Sequence, residues 1–273
     1  MTTITRWPEF ERSVRNQGMK LLKRLDDFPD SILVTGCQRS GTTMLAKVIA
    51  ESDGIHNFKL GAQDPCLDAG LILSEYVDYV PEPSRYCFQT THVDELVAEY
   101  YDHQGDFRLI WCLRKPHSVV YSLVYNWSKW GLNTTYDRCG AESLGDDVRS
   151  SFKYRLLGSK AVSKLHKACM IYNQKVSQIF ELSERLQCRG IIVVEYDELV
   201  RRKNDVLPRL YEFIDVPYQS AYGDKILTSS LNKADRLSDE ESEVITALCG
   251  PVYDRAREAF WSEALRDIST RSG

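Results

Sequence analysis

The sequence predicts an α/β fold, a single domain with a central, mainly parallel sheet flanked by helices. Three observations carry this. Short β-favouring runs, about 31–36, 108–113 and 191–195, alternate with stretches of helical spacing, the pattern that builds parallel sheets. The first run, Ile32-Leu33-Val34-Thr35, enters Gly36, a short polar loop, and then Gly41-Thr42-Thr43 at the head of an apolar helical pattern. No internal repeat, low-complexity tract or Gly/Ser/Pro-rich linker divides the 273 residues.

The elements follow in order. Phe10, Val14, Leu21, Leu22 and Leu25 give residues 9–26 the spacing of a leading amphipathic helix, closed by Phe28-Pro29-Asp30. The helix after Gly41 runs to about Ser52, where Asp53-Gly54 stops it. Residues 55–65 read as a loop, 66–79 as a helix, Tyr86–Gln89 as a short strand and 92–101 as a helix. After the strand 108–113, Pro116 suits the first turn of a helix reaching about Lys129. Gly131, Asn133, Thr134, Gly140 and Gly145 make 131–147 a long loop, and so a candidate lid over a substrate. A helical stretch spans about 148–187, the strand 191–195 follows, and helices lie near 197–214. Ser238-x-x-Glu241 caps a helix to about Leu248, stopped by Gly250-Pro251 before a final helix.

Bulk properties narrow the function. A net charge of −4 argues against a dedicated nucleic-acid binder but leaves room for a local basic pocket. Eight cysteines are scattered without C-x-x-C or zinc spacing, which predicts reduced thiols in a cytoplasmic protein and no metal site. The charged N-terminus lacks a signal-like apolar core, and no apolar run is long enough for a membrane span.

The glycine turn carries the chemistry. A strand, a glycine loop and a helix N-terminus aim backbone N–H groups and a positive dipole end at one spot, which suits a phosphate. Gly36 and Gly41 have the spacing of the nucleotide-triphosphate loop, but Thr42 stands where that loop has lysine. Without it the turn is ill-equipped for a γ-phosphate and magnesium, yet Arg39, Ser40, Thr42 and Thr43 can cradle one terminal phosphate. A second motif follows the strand 108–113. Arg114 ends it, and Ser122 lies two turns into the next helix, so an arginine fork and a hydroxyl could share one anion.

Together, Gly-x-x-Arg-Ser-Gly-Thr-Thr and Arg-x-Pro-x-x-Val-x-x-Ser resemble the sulfotransferases that use 3′-phosphoadenosine 5′-phosphosulfate (PAPS). The resemblance implies a P-loop nucleotide-kinase-like fold. It implies that Arg39, Ser40, Gly41, Thr42 and Thr43 bind the 5′-phosphosulfate, and Arg114 and Ser122 the 3′-phosphate. Val194-Glu195-Tyr196-Asp197-Glu198-Leu199 resembles the family segment whose tyrosine lies near the adenine, which assigns that place to Tyr196. Residues 228–249 resemble the segment that closes over the donor, with Lys233 or Arg236 replacing the lysine-rich loop of the cytosolic branch. Lys115 and His117 replace an acidic residue and an arginine of the second motif, and Met44 replaces the cytosolic branch's tryptophan. These departures place the chain nearer the bacterial and tyrosylprotein-like branches.

The activity implied is sulfonyl transfer from PAPS to a hydroxyl or amine, by in-line displacement without metal, leaving 3′,5′-diphosphoadenosine. Arg39 and the loop amides would neutralise the leaving group, and the acceptor needs a base. Two residues stand as candidates: Asp64, in Gly61-Ala62-Gln63-Asp64-Pro65, and His92, after Thr90-Thr91. The expected acceptor is a soluble small molecule, with a homodimer left open. The alternatives are a P-loop kinase-like phosphotransferase, which would lack its lysine, and a non-catalytic nucleotide-binding protein on the same fold.

Overall fold

A computed structural model describes residues 30–57, 85–89, 105–127, 129–226 and 228–261. Five strands form one sheet in the order β2-β3-β1-β4-β5. They are β1 (Ser31–Gly36), β2 (Ile55–Asn57), β3 (Arg85–Gln89), β4 (Phe107–Leu113) and β5 (Gly190–Glu195), and each neighbouring pair is parallel. The fold is thus α/β with a parallel sheet, as the alternation of runs predicts.

Both faces of the sheet are covered, which explains the unbroken apolar runs. Leu33 of β1, and Phe107, Leu109, Trp111 and Leu113 of β4, pack into one core. That side is covered by α2 (Pro116–Tyr125), α3 (Lys129–Arg138), α6 (Lys164–Arg185) and α9 (Asp239–Ala256). Ile32, Val34, Ile110 and Cys112 point the other way. They meet α1 (Thr42–Ala50), α7 (Tyr196–Arg201) and α8 (Lys203–Phe213). Two short helices, α4 (Asp146–Ser150) and α5 (Phe152–Leu157), lie before α6.

Four stretches depart from the sequence reading. Residues 131–147 are not an extended loop: α3 and a 3-10 turn at Gly140–Ser143 occupy most of them. Leu132, Tyr136 and Cys139 are buried at helical spacing, and their burial outweighs the weak propensities of Gly131, Asn133 and Thr134. Residues 55–57, read as loop, form β2 at the sheet edge. The 148–187 stretch is broken by Gly158, whose φ of 56° ends α5. Finally, α9 continues through Gly250-Pro251. Ile245, Cys249, Tyr253 and Ala256 form one buried stripe across the proline, and Asn173 Nδ2 donates to Leu248 O at 2.8 Å beside the disturbed turn. The leading helix and the expected helices at 66–79 and 92–101 lie outside the described residues.

At the amino ends of the strands, Asp30 binds three arginines. Arg85 Nη2 donates to its carboxylate at 3.1 Å and Arg189 Nη1 at 2.8 Å, and Arg108 pairs with the same oxygen. At the carboxyl ends the two anion motifs meet.

Candidate active site

The meeting follows from register. Gly36, the last residue of β1, pairs with Cys112 of β4. The loop leaving β1 therefore starts beside Arg114, two residues beyond Cys112, although the motifs are far apart in sequence. Strand order reverses around β1, and α/β folds open a ligand crevice at that point.

Gly36 and Gly41 are glycines for steric reasons. At Gly36, with φ 141°, a Cβ would stand 2.5 Å from Cys112 O. At Gly41, with φ 105°, a Cβ would stand 2.1 Å from Cδ2 of Tyr196. Between them Ser40 N donates to Cys37 O at 3.1 Å, closing the turn. Arg39 holds a left-handed φ of 71°, a strained state for a residue with a side chain. Gly41 is the N-cap of α1 and offers no side-chain cap, so the first amides of that helix face the turn with their donor capacity intact. Ser40 Oγ is buried and finds no hydrogen-bond partner.

Around this turn the sequence-predicted residues converge. Arg39 Nε donates to Ser122 Oγ at 2.9 Å, linking the two motifs directly. Arg114 Nη1 donates to Arg39 O at 3.3 Å. The Arg114 side chain is only 4% exposed, and its Nε donates to Asp197 Oδ1 at 3.2 Å, itself 2% exposed. The guanidinium lies 4.5 Å over the ring of Tyr196, and Tyr172 OH donates to Arg114 O at 2.7 Å. Tyr196 is thus sandwiched between Gly41 and Arg114.

Lys233 arrives from the 3-10 segment Thr228–Arg236, which packs against α2 and α7. Burial lowers its amine below the usual lysine range, and Arg114, Arg39 and Arg236 lower it further. Burial and Arg114 likewise lower Arg39. Asp197 pairs with Arg114 in this group. The arrangement gathers cations and hydroxyls that could hold an anion.

Two contributors have no assigned role in the sequence reading. Gln89, at the carboxyl end of β3, donates from Nε2 to Thr42 Oγ1 at 3.2 Å and Thr43 Oγ1 at 2.9 Å. This fixes both hydroxyls, and a polar residue ending a buried strand was the available signal. Asp197 orients Arg114, and it stands next to Tyr196 in a segment already singled out. Its neighbour Glu195 caps α7 by accepting from Glu198 N at 2.6 Å, and Tyr253 OH donates to it at 3.2 Å. Burial pushes the Glu195 carboxyl up to about 7 against those two hydrogen bonds, and the nearby Asp197 charge adds to the rise. His117, where the sequence departs from the second motif, faces Ser242 O at 3.2 Å and Thr246 Oγ1 at 3.1 Å. It therefore joins α2 to α9. Asp64 and His92 lie outside the described residues.

Comparison with known proteins gives this architecture its class. The sulfotransferase domain family matches residues 29–237, well over half of the chain, and the chain belongs to that family. The sulfotransferase domain from the curacin biosynthetic pathway is similar at a TM-score of 0.50 and 15% identity, over 81% of this chain and 97% of that one. The sulfotransferase STF9 from Mycobacterium avium has a TM-score of 0.50 at 12% identity, over 93% and 84%. The mouse sulfotransferase SULT7A1, solved in complex with PAP, has a TM-score of 0.49 at 14% identity, over 89% and 94%. At 15% and 12% identity, the likeness to the first two bears on the fold alone. No curated protein of assigned function matches the chain. Among the described residues, no helix is long and apolar enough to cross a membrane.

Proposed function

We propose that the protein transfers a sulfonyl group from PAPS to a hydroxyl or amine of a soluble small molecule. One observation carries the reading: Arg39, Arg114 and Lys233 crowd around an uncapped glycine turn that the Arg39–Ser122 hydrogen bond joins to the second motif. A donor with phosphates on two positions of one ribose needs two adjacent anion sites, and this geometry supplies adjacent cations with hydroxyls between them. The residues fit such a group. The buried Ser40 hydroxyl lacks a partner, and the first amides of α1 lack a side-chain cap.

The donor brings a sulfonyl group already activated for displacement. In this reading the chain's residues hold and neutralise. Arg39, Ser40, Gly41, Thr42 and Thr43 would hold the 5′ side, and the α1 amides would supply donors for the charge that develops on the leaving group. Arg114, Ser122 and Lys233 bind the 3′ side, and Tyr196 borders the adenine. Asp197 keeps Arg114 in place, and Gln89 orients the Thr42 and Thr43 hydroxyls. Asp64 takes the acceptor proton, with His92 as the other candidate. The setting is cytoplasmic in this reading, in keeping with eight cysteines scattered without paired spacing.

The test is direct. 3′,5′-Diphosphoadenosine should raise the unfolding temperature and ATP–magnesium should not. Incubation with PAPS and a panel of hydroxyl and amine metabolites should yield a product heavier by one sulfonate. Arg39→Ala should cut turnover roughly 100- to 1,000-fold, the usual effect of losing one transition-state donor. It should leave the fold intact, because Arg39 belongs to neither apolar core. Protection by ATP–magnesium alone would overturn the reading in favour of a phosphotransferase. Donor binding without turnover on any acceptor, and with no effect of Arg39→Ala, would favour a binding protein.

A further inference from the structure

The segment leading into α6 is unlike the rest of the surface. Phe152 is 80% exposed, Leu156 68% and Leu157 45%. Phe152 and Leu156 stand one turn apart on α5, on one face of that helix. Lys153 and Arg155 flank them, both exposed. The inner side of α5 is held: Tyr154 is half-buried and faces the buried Tyr136, whose hydroxyl is pushed up first by burial and then by Tyr154. The apolar face therefore points outward from an anchored helix.

The segment itself is basic. From Val148 through Lys164, directly after Asp146 and Asp147, the chain holds five Lys or Arg and no Asp or Glu, within a protein of net charge −4. Large exposed apolar side chains ringed by cations match a surface that is apolar beneath and anionic on top. A second copy of the chain is the weaker match. Three side chains on a six-residue helix fall well short of the roughly 800 Å² per partner of a standard protein interface.

The location is defined by α6. Tyr172 of α6 reaches Arg114 O at the carboxyl end of β4. The helix begins eight residues earlier, at Lys164, so its first two turns rise about 12 Å beyond that level. The exposed segment is thus carried at the end of the sheet that holds the glycine turn.

We propose that this segment is a peripheral membrane-docking surface, seating Phe152, Leu156 and Leu157 in an acidic bilayer with Lys153, Arg155 and Lys160 at its headgroups. Amphipathic elements of this kind bind through buried apolar area plus attraction to anionic lipid. The inference stands apart from the choice of sulfonyl donor.

Co-sedimentation of the full chain with vesicles tests it. Vesicles of phosphatidylcholine mixed with phosphatidylglycerol should retain the protein, and phosphatidylcholine alone should not. Phe152→Ser with Leu156→Ser should lower the partition coefficient about tenfold or more. Lys153→Glu with Arg155→Glu should do likewise and flatten its dependence on salt. All four positions are exposed, so each variant should unfold at the wild-type temperature, which excludes misfolding as the cause. The inference is overturned if the wild type stays in solution with acidic vesicles, or if the variants bind as well as it does. It is also overturned by a dimer that Phe152→Ser dissociates in a chain that ignores vesicles, which would assign the patch to self-association.

Discussion

Asp197→Asn isolates what the buried Arg114 pair contributes. Arg114 and Asp197 are almost wholly removed from water, and Arg114 also feels Arg39 and Lys233. Removing one partner of such a pair typically costs about 3–5 kcal/mol, because the other charge stays buried without compensation. Asparagine keeps the shape and an acceptor oxygen for Arg114 Nε, so the lower end applies, about 3 kcal/mol. For a domain of this size each kcal/mol shifts the midpoint by about 2–4 °C, so the ligand-free variant should melt about 6–12 °C lower. The same loss leaves the cation cluster more in need of an anion. 3′,5′-Diphosphoadenosine should therefore raise the melting temperature of the variant by more degrees than that of the wild type. Scanning fluorimetry with and without the nucleotide measures both. A ligand-free midpoint within about 1 °C of wild type would refute the energetic reasoning. Equal or smaller protection of the variant would refute the view that Asp197 balances an anion site.

Three further outcomes follow from the same geometry. Glu195 titrates near 7 in the folded protein against 4.5 ordinarily, so between those values the folded state keeps a proton that the unfolded chain has released. Stability contributed by this group is then full below pH 4.5, falls as pH rises, and levels off above 7. Denaturation of wild type and Glu195→Gln across that window should show a difference that declines by about 3 kcal/mol, and a flat difference would remove Glu195 from the account. Gly41→Ala drives a Cβ into Tyr196 at a φ of 105°, so donor affinity should fall about 100-fold, as for misplaced site geometry generally. Calorimetry showing near-native affinity would mean that the turn can move aside. Gln89→Leu should weaken donor binding about tenfold by releasing the two threonine hydroxyls, with little change in melting temperature; unchanged affinity would make Gln89 a spectator.

The sheet and the two anion motifs were legible because each depends on short-range pattern. The run 31–36 with its glycines, the run 108–113 ending at Arg114, and the run before Tyr196 all announce themselves. What escaped depends on distant partners. The helix over 129–138 exists because Leu132 and Tyr136 find a neighbour in α6, which local propensity around Gly131 and Asn133 does not record. The passage of α9 through Pro251 has the same origin in a stripe buried against α6. In the site, local pattern marks Arg114 as an anion ligand, but its tie to Asp197 crosses 83 residues and has no local signature. The adjacency of the two motifs was likewise a matter of strand register, with Gly36 beside Cys112.

Asp30 carries a consequence for how the molecule comes apart. Its carboxylate reaches arginines 55, 78 and 159 positions along the chain. Three strand entrances are therefore fastened at one rivet, on the edge remote from the crevice. Peeling any one of them loosens the others, so the sheet should fail as a unit rather than fray strand by strand. The opposite rim, relieved of that duty, is where the chain can tolerate crowded cations and a strained arginine.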